Sequence, residues 1–148
     1  MKNTNESLLN SWLRISTSIN NPRLVSEMTY NESLVCNILY QHSHSTTSQP
    51  ITATDLCRMT NMLKSQMNRT LTQLESKGMI TRERSSQDKR HIYITMNLEQ
   101  CNTYEKQHER ILRILDAVIH KLVTEKTQTA IEIFNDISNI AEELNLGK

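Results

Sequence analysis

Apolar positions recur at helical spacing along most of the chain and at strand spacing only in its middle. Leu8, Leu9, Trp12, Leu13, Ile15 and Ile19 form a broad stripe that predicts a first helix over 6–20, ended by Pro22. Thr29-x-x-Glu32 has the form of a capping box, and Leu34, Val35, Ile38 and Leu39 carry a second helix behind it. Polar residues fill 41–49, which predicts a loop, and Pro50-Ile51-Thr52 reads as a short strand beside a later hairpin. Thr52-x-x-Asp55 opens a third helix with Leu56 and Met59 facing inward. Thr60-Asn61 then makes a turn, since Asn tolerates a positive φ better than most residues. Met67, Leu71 and Leu74, at i, i+4 and i+7, define a fourth helix that Gly78 stops. Strand-like runs follow over 79–84 and 90–96, and in the second Ile92, Ile94 and Met96 alternate with His91, Tyr93 and Thr95. A long helix is predicted over 98–123 on Cys101, His108, Leu112, Leu115, Ile119 and Leu122. A last one is predicted over 127–144 on Ile131, Phe134, Ile137, Ile140 and Leu144. This order predicts a mainly α protein with a small β wing, a winged helix-turn-helix.

The fourth helix has a second face. At about 100° per residue, Ser65, Arg69, Thr72 and Ser76 gather opposite the apolar stripe, flanked by Gln66, Asn68 and Gln73. This face offers hydrogen-bonding groups and one guanidinium, with no acid and no large apolar side chain, which is the chemistry that base edges in the major groove require. Between the two strands lies Ser85-Ser86-Gln87-Asp88-Lys89, a polar tip with Arg82, Arg84, Lys89 and Arg90 on its shoulders. One element can therefore enter a major groove while the tip reaches a neighbouring minor groove.

Lys64-Ser65, the run Leu74-Glu75-Ser76-Lys77-Gly78-Met79-Ile80, and Asp88-Lys89-Arg90 ahead of Ile92, Ile94 and Thr95 together resemble the MarR family of bacterial transcriptional regulators. The resemblance covers nearly the whole chain in length, helix order and wing. It implies one domain over 1–148, with a DNA-binding lobe at about 28–98 and dimerisation helices at about 5–22 and 99–146. It also implies that Arg90 of the Asp-x-Arg wing signature enters the minor groove while Asp88 orients it. Ser65, Gln66, Asn68, Arg69 and Thr72 would then face major-groove edges, and Lys64, Arg82, Arg84 and Lys89 would meet phosphates. Thr54 at the start of the third helix, and Ser86 and Gln87 at the tip, complete the expected contact set. The sequence departs from the family at Leu63, where an Asp or Asn cap is usual, and in having no proline at the wing tip.

Composition adds bounds. A chain of 148 residues with two glycines and two prolines has few breakers, which favours long helices. No apolar run approaches the ~20 residues of a membrane span, and the first residues lack a signal-peptide core, so a cytoplasmic protein is expected. Net charge is +1, yet its distribution is uneven. From 58 to 91 there are eight Lys/Arg against three Asp/Glu, or +5, which leaves nine against thirteen, or −4, elsewhere. A concentrated positive segment is the footprint of a face that meets phosphate.

Other chemistries find less support. The chain has no Gly-rich phosphate loop, no H-E-x-x-H and no triad order, so no enzyme is expected and no cofactor is assigned. Cys36, Cys57 and Cys101 lack C-x-x-C spacing; Cys36 and Cys101 stand as redox candidates beside the plainer reading of buried packing. His42 and His44 in the loop, with Glu105, His108 and Glu109 on the long helix, are metal-ligand candidates of low weight. The resemblance adds a homodimer and a palindromic operator in double-stranded DNA with half-sites roughly 34 Å apart. It also adds a small-molecule effector pocket, for which Trp12, Ile15, Tyr40 and His42 are candidates. Repression is expected over activation because covering a promoter needs no contact with polymerase. A zinc- or redox-responsive regulator of the same family remains an alternative, as does a winged-helix module that binds protein rather than DNA.

Overall fold

Side-chain capping fixes where two of the described helices begin. The computed structural model describes residues 2–19, 28–45 and 49–145, so Pro22 lies outside the described residues. Helix α1 spans Lys2–Ile19 and α2 spans Tyr30–Ser43. Thr29 Oγ1 accepts the Glu32 N–H at 3.2 Å and donates to Glu32 Oε1 at 3.3 Å, which fixes the entry to α2. A two-residue strand β1, Ile51–Thr52, leads into α3, Ala53–Thr60, through a complete capping box between Thr52 and Asp55. Asn61, at φ 55°, turns the chain into α4, Lys64–Ser76. Gly78, at φ 73°, ends α4 in a Schellman motif: Met79 N–H reaches Leu74 O at 3.0 Å and Gly78 N–H reaches Glu75 O at 2.9 Å. Strands β2, Ile80–Arg84, and β3, Ile92–Met96, form the hairpin, and a 3-10 turn, Leu98–Gln100, precedes α5, Asn102–Leu122, and α6, Thr124–Asn145.

Contacts divide the chain into two compact units, 1–108 and 109–148. In the first, an antiparallel sheet of order β1-β3-β2 pairs Ile51 with Ile94 and Arg82 with Ile94 from the other side. Its inner face meets α2, α3 and α4 in one core built from Val35, Cys36, Leu39, Leu56, Met67, Leu71, Leu74, Met79, Ile80, Ile94 and Met96, with Cys101 just before α5 and Tyr104 in its first turn. Burial of Leu56, Leu71 and Leu74 stabilises the lobe by roughly 1.5–3 kcal/mol each. Two polar ties cross this core. Tyr104 donates to Asn37 Oδ1 at 3.0 Å, and Gln107 Nε2 donates to Ser33 Oγ at 2.6 Å.

In the second unit the latter part of α5 meets α6 at Val123, which adopts φ 62°. Leu112, Leu115, Ile119 and Leu122 on α5 and Ile131, Phe134, Ile140 and Leu144 on α6 are exposed in the single chain. The same is true of Leu8, Leu9, Trp12 and Leu13 on α1 in the first unit.

Besides strand ends that shift by one or two residues, several boundaries and facings among the described residues differ from the sequence reading. Helix α1 begins at Lys2 rather than near residue 6. Helix α2 continues through polar residues to Ser43, because Ser43 Oγ and His44 Nδ1 both bond the Tyr40 carbonyl at 2.7 and 2.8 Å and satisfy its last turn. Met59 faces outward and is 54% exposed; the short α3 turns Leu56, Cys57 and Thr60 toward the lobe, and Met59 falls off that arc. The long helix starts at Asn102, since Leu98–Gln100 forms a separate turn and Cys101 (φ −88°, ψ 12°) interrupts the path. Helix α6 starts at Thr124, immediately after Val123.

Candidate nucleic-acid interface

Helix α4 presents the surface that its periodicity predicts. Met67, Thr70, Leu71 and Leu74 are buried, and Ser65, Gln66, Asn68, Arg69, Thr72, Gln73 and Ser76 are exposed. Thr72 and Ser76 turn their hydroxyls back onto the Asn68 and Gln73 carbonyls at 2.8 and 2.7 Å, so both oxygens lie close against the helix. Gln66 Oε1 accepts the Leu63 N–H at 3.1 Å, which leaves its amide nitrogen as the outward group. No ion pair involves Lys64 or Arg69 among the described residues. Thr54 is exposed in the first turn of α3.

The start of α2 joins this surface, which the sequence did not reveal. Thr29 and Asn31 line a hollow of ≈ 280 Å³ together with Gln66, Arg69, Thr70 and Gln73 of α4. These residues lie more than thirty positions apart, and no local pattern connects them.

The wing tip is closed by a ring of hydrogen bonds. Ser85 N–H donates to His91 O at 2.9 Å, and Ser85 Oγ accepts the N–H groups of Gln87 and Asp88, each at 3.2 Å. Asp88 O accepts the His91 N–H at 3.0 Å. Asp88 Oδ1 accepts both the Arg90 N–H, at 3.0 Å, and Arg90 Nε–H, at 3.3 Å, while Oδ2 lies 3.4 Å from His91 Nε2. The Asp-x-Arg pair is thus an Asx turn whose carboxylate also holds the guanidinium of the second residue. The Arg90 side chain is 91% exposed, so it projects from the tip with its direction set by Asp88. Arg84, at the end of β2, donates to the Lys89 carbonyl of the tip at 3.2 Å. Ser86 and Lys89 are exposed and Gln87 stands at the same tip.

Arg82 has an internal partner. Its guanidinium grips Glu75 of α4 through Nε–Oε2 at 3.2 Å and Nη2–Oε1 at 3.0 Å, and it also reaches Thr72 Oγ1 at 3.4 Å. The bond to Arg82 holds the Glu75 carboxyl below its ordinary value, and Glu75 raises the guanidinium above its own. The pair links strand β2 to the helix and removes the acid as a bare charge on this face. A second link lies behind the helix: Lys77 Nζ meets Glu32 Oε2 at 2.5 Å, and the Glu32 side chain is only 2% exposed.

The remaining candidates are scattered. His42 lines an apolar cleft of ≈ 310 Å³ with Leu39, Pro50, Ile51, Ile94, Met96 and Leu98, and its Nε2 donates to Gln49 O at 2.7 Å. Trp12, Ile15 and Tyr40 are not among the residues that line this cleft; Trp12 and Ile15 stand exposed on α1. His44 and His108 both approach the Tyr40 ring, at centroid distances of 4.4 and 6.4 Å, and Glu105 accepts from Cys101 Sγ at 3.4 Å. Among the described residues no three His, Cys, Asp or Glu side chains gather as a metal site. Desolvation pushes the Cys36 thiol up to about 12, and burial with Glu105 nearby also raises Cys101, so both are held as neutral thiols near pH 7. No described helix is long and apolar enough to cross a membrane.

An exposed polar helix face beside a hairpin with an oriented arginine is a winged helix-turn-helix arrangement, and the comparisons place it among transcriptional regulators. The family of SarA/Rot transcriptional regulators matches residues 23–114, and the chain belongs to that MarR-like family. It is similar to the HTH-type transcriptional regulator FarR of Neisseria gonorrhoeae, with 28% identity over 91 residues, and it spans 62% of that relative's length. Its fold is that of Staphylococcus aureus MarR in complex with salicylate and kanamycin (22% identity, TM-score 0.75, 95% of this chain and 93% of that one). The regulator BldR of Sulfolobus solfataricus shares the fold as well (18% identity, TM-score 0.70, 93% and 94%).

Proposed function

We propose that this regulator is a homodimer that binds a palindromic operator in double-stranded DNA and represses transcription by covering it. The observation that carries this reading is the wing tip, where Asp88 fixes an almost fully exposed Arg90 next to a helix whose outer face is polar and basic. Arg69 suits a guanine edge, with Ser65, Gln66 and Asn68 beside it, and Lys64, Arg84 and Lys89 suit phosphates. The apolar stripes of α1, α5 and α6 support a second copy, since exposed apolar surface on this scale is unusual for a soluble monomer. Two recognition helices must reach their half-sites together, so an effector that changes their spacing would release DNA. The S. aureus MarR complex with salicylate supports a small-molecule effector in this fold.

Selection from random duplex DNA, followed by affinity at several salt concentrations, tests the reading. An inverted repeat and a steep fall of affinity with salt are expected. Arg90→Ala should weaken binding several-fold or more while the protein stays folded and dimeric. Failure to enrich any motif with folded dimer would favour a protein-binding module instead.

A further inference from the structure

Leu63 stands where a helix normally places a polar cap. At this N-cap position Ser, Thr, Asp or Asn would accept an N–H of the first turn, and an apolar residue forgoes that bond. Gln66 supplies only the reverse half of a capping box, by accepting the Leu63 N–H at 3.1 Å. The leucine gains no burial in exchange, since it is 68% exposed and absent from the core. It is nevertheless firmly placed. Asn61 sits at φ 55°, the Met62 N–H bonds Thr60 Oγ1 at 3.3 Å, and the Met67 N–H bonds Leu63 O at 2.9 Å. The result is a fixed apolar knob at the leading end of α4, next to Lys64 and Ser65 and within the basic segment.

We propose that Leu63 is a specificity-determining residue that packs against the 5-methyl group of a thymine in the major groove. This rests on the DNA-binding reading above. Among the groups that a base pair shows in that groove, the thymine methyl is the apolar one, so it is the partner that matches an aliphatic side chain at the groove entrance. A cap residue at 63 would stabilise the helix and lose this contact.

The test is a thymine-to-deoxyuridine scan of the selected operator, which removes one methyl at a time. Wild-type protein should lose about fourfold in affinity at one position per half-site, as expected for one buried methyl, and roughly fifteenfold when both symmetric positions are changed. Leu63→Ala should bind the thymine operator more weakly by at least the same factor, and it should show no penalty at that position. Leu63→Ser gives a second readout: the hydroxyl restores a cap, so the melting temperature should rise by a few degrees while affinity falls and the uracil penalty disappears. A Leu63→Ala protein that keeps the full uracil penalty at every position overturns the assignment and leaves DNA binding intact. Loss of the dimer in either variant also overturns it, because Leu63 would then belong to an interface between copies. A wild-type chain that selects no duplex overturns both this inference and the function it rests on.

Discussion

The pair between Glu32 and Lys77 makes a quantitative prediction about what holds the end of α4 against α2. The Glu32 carboxylate is almost fully removed from water and has two partners: Lys77 Nζ at 2.5 Å from one oxygen and the Thr29 hydroxyl at 3.3 Å from the other. Truncation of one member of a fully buried pair typically costs about 3–5 kcal/mol, because the other charge is left without compensation. Here the lysine end is 40% exposed, so water screens part of the interaction and can reach the carboxylate once the lysine is removed. Lys77→Ala is therefore expected to destabilise the protein by about 2 kcal/mol, which corresponds to a fall in melting temperature of roughly 5–10 °C. Urea unfolding followed by far-ultraviolet circular dichroism at pH 7 measures this directly. The double variant Glu32→Gln with Lys77→Met should recover at least half of the loss, since neither partner is then a stranded charge. A loss below about 0.5 kcal/mol for Lys77→Ala, or no recovery in the double variant, would refute the claim that this pair braces α2 to the end of α4.

Three further predictions follow from other contacts. Arg82→Ala should weaken DNA binding and leave the salt slope nearly unchanged, and adding Glu75→Ala should restore affinity. If Arg82 instead met a phosphate directly, the slope would drop by about 0.9 per contact and the second change would not help. Gly78→Ala should cost about 1–2 kcal/mol in thermal unfolding, because φ 73° is unfavourable for a residue with a Cβ and the new carbon would stand 2.3 Å from Gln100 Oε1 until that side chain moved. Stability should decline in alkali: the folded state holds Cys36 up at about 12, against 9.0 for an ordinary thiol, and Tyr104 at about 12, against 10.0. The unfolded chain therefore ionises first, so the contribution is complete below about pH 9 and is lost as the pH rises toward 12. The urea midpoint should fall over that window, and less steeply in Cys36→Ala.

What the sequence made legible was local. The Thr29, Thr52 and Gly78 signals each act within a few residues, and each sits at its helix end in the structure. The α4 stripe and the β3 alternation were equally readable, because one period spans the whole element. The Asp88–Arg90 contact was also local, two residues apart. Contacts between distant residues were not legible. Nothing in the sequence joins Glu32 to Lys77, places Asn31 beside Arg69, or shows that the Arg82 guanidinium is held by Glu75. That last pairing qualifies the expectation that Arg82 meets a phosphate. Met59 was misread because two turns of helix are too few for its periodicity to fix which residues face inward. The crevice of Trp12, Ile15, Tyr40 and His42 was an expectation from the family resemblance, and of these four residues only His42 lines the apolar cleft.

The ring at the wing tip has a consequence for how such regulators diverge. Its bonds use the main chain, the Ser85 hydroxyl and the Asp88 carboxylate, and the side chains of Ser86, Gln87 and Lys89 take no part in closing it. Those three positions can change in descendants of the chain without disturbing the turn that aims Arg90. A duplicated copy could in this way change the surface around Arg90 by single substitutions, with no intermediate that must refold its wing.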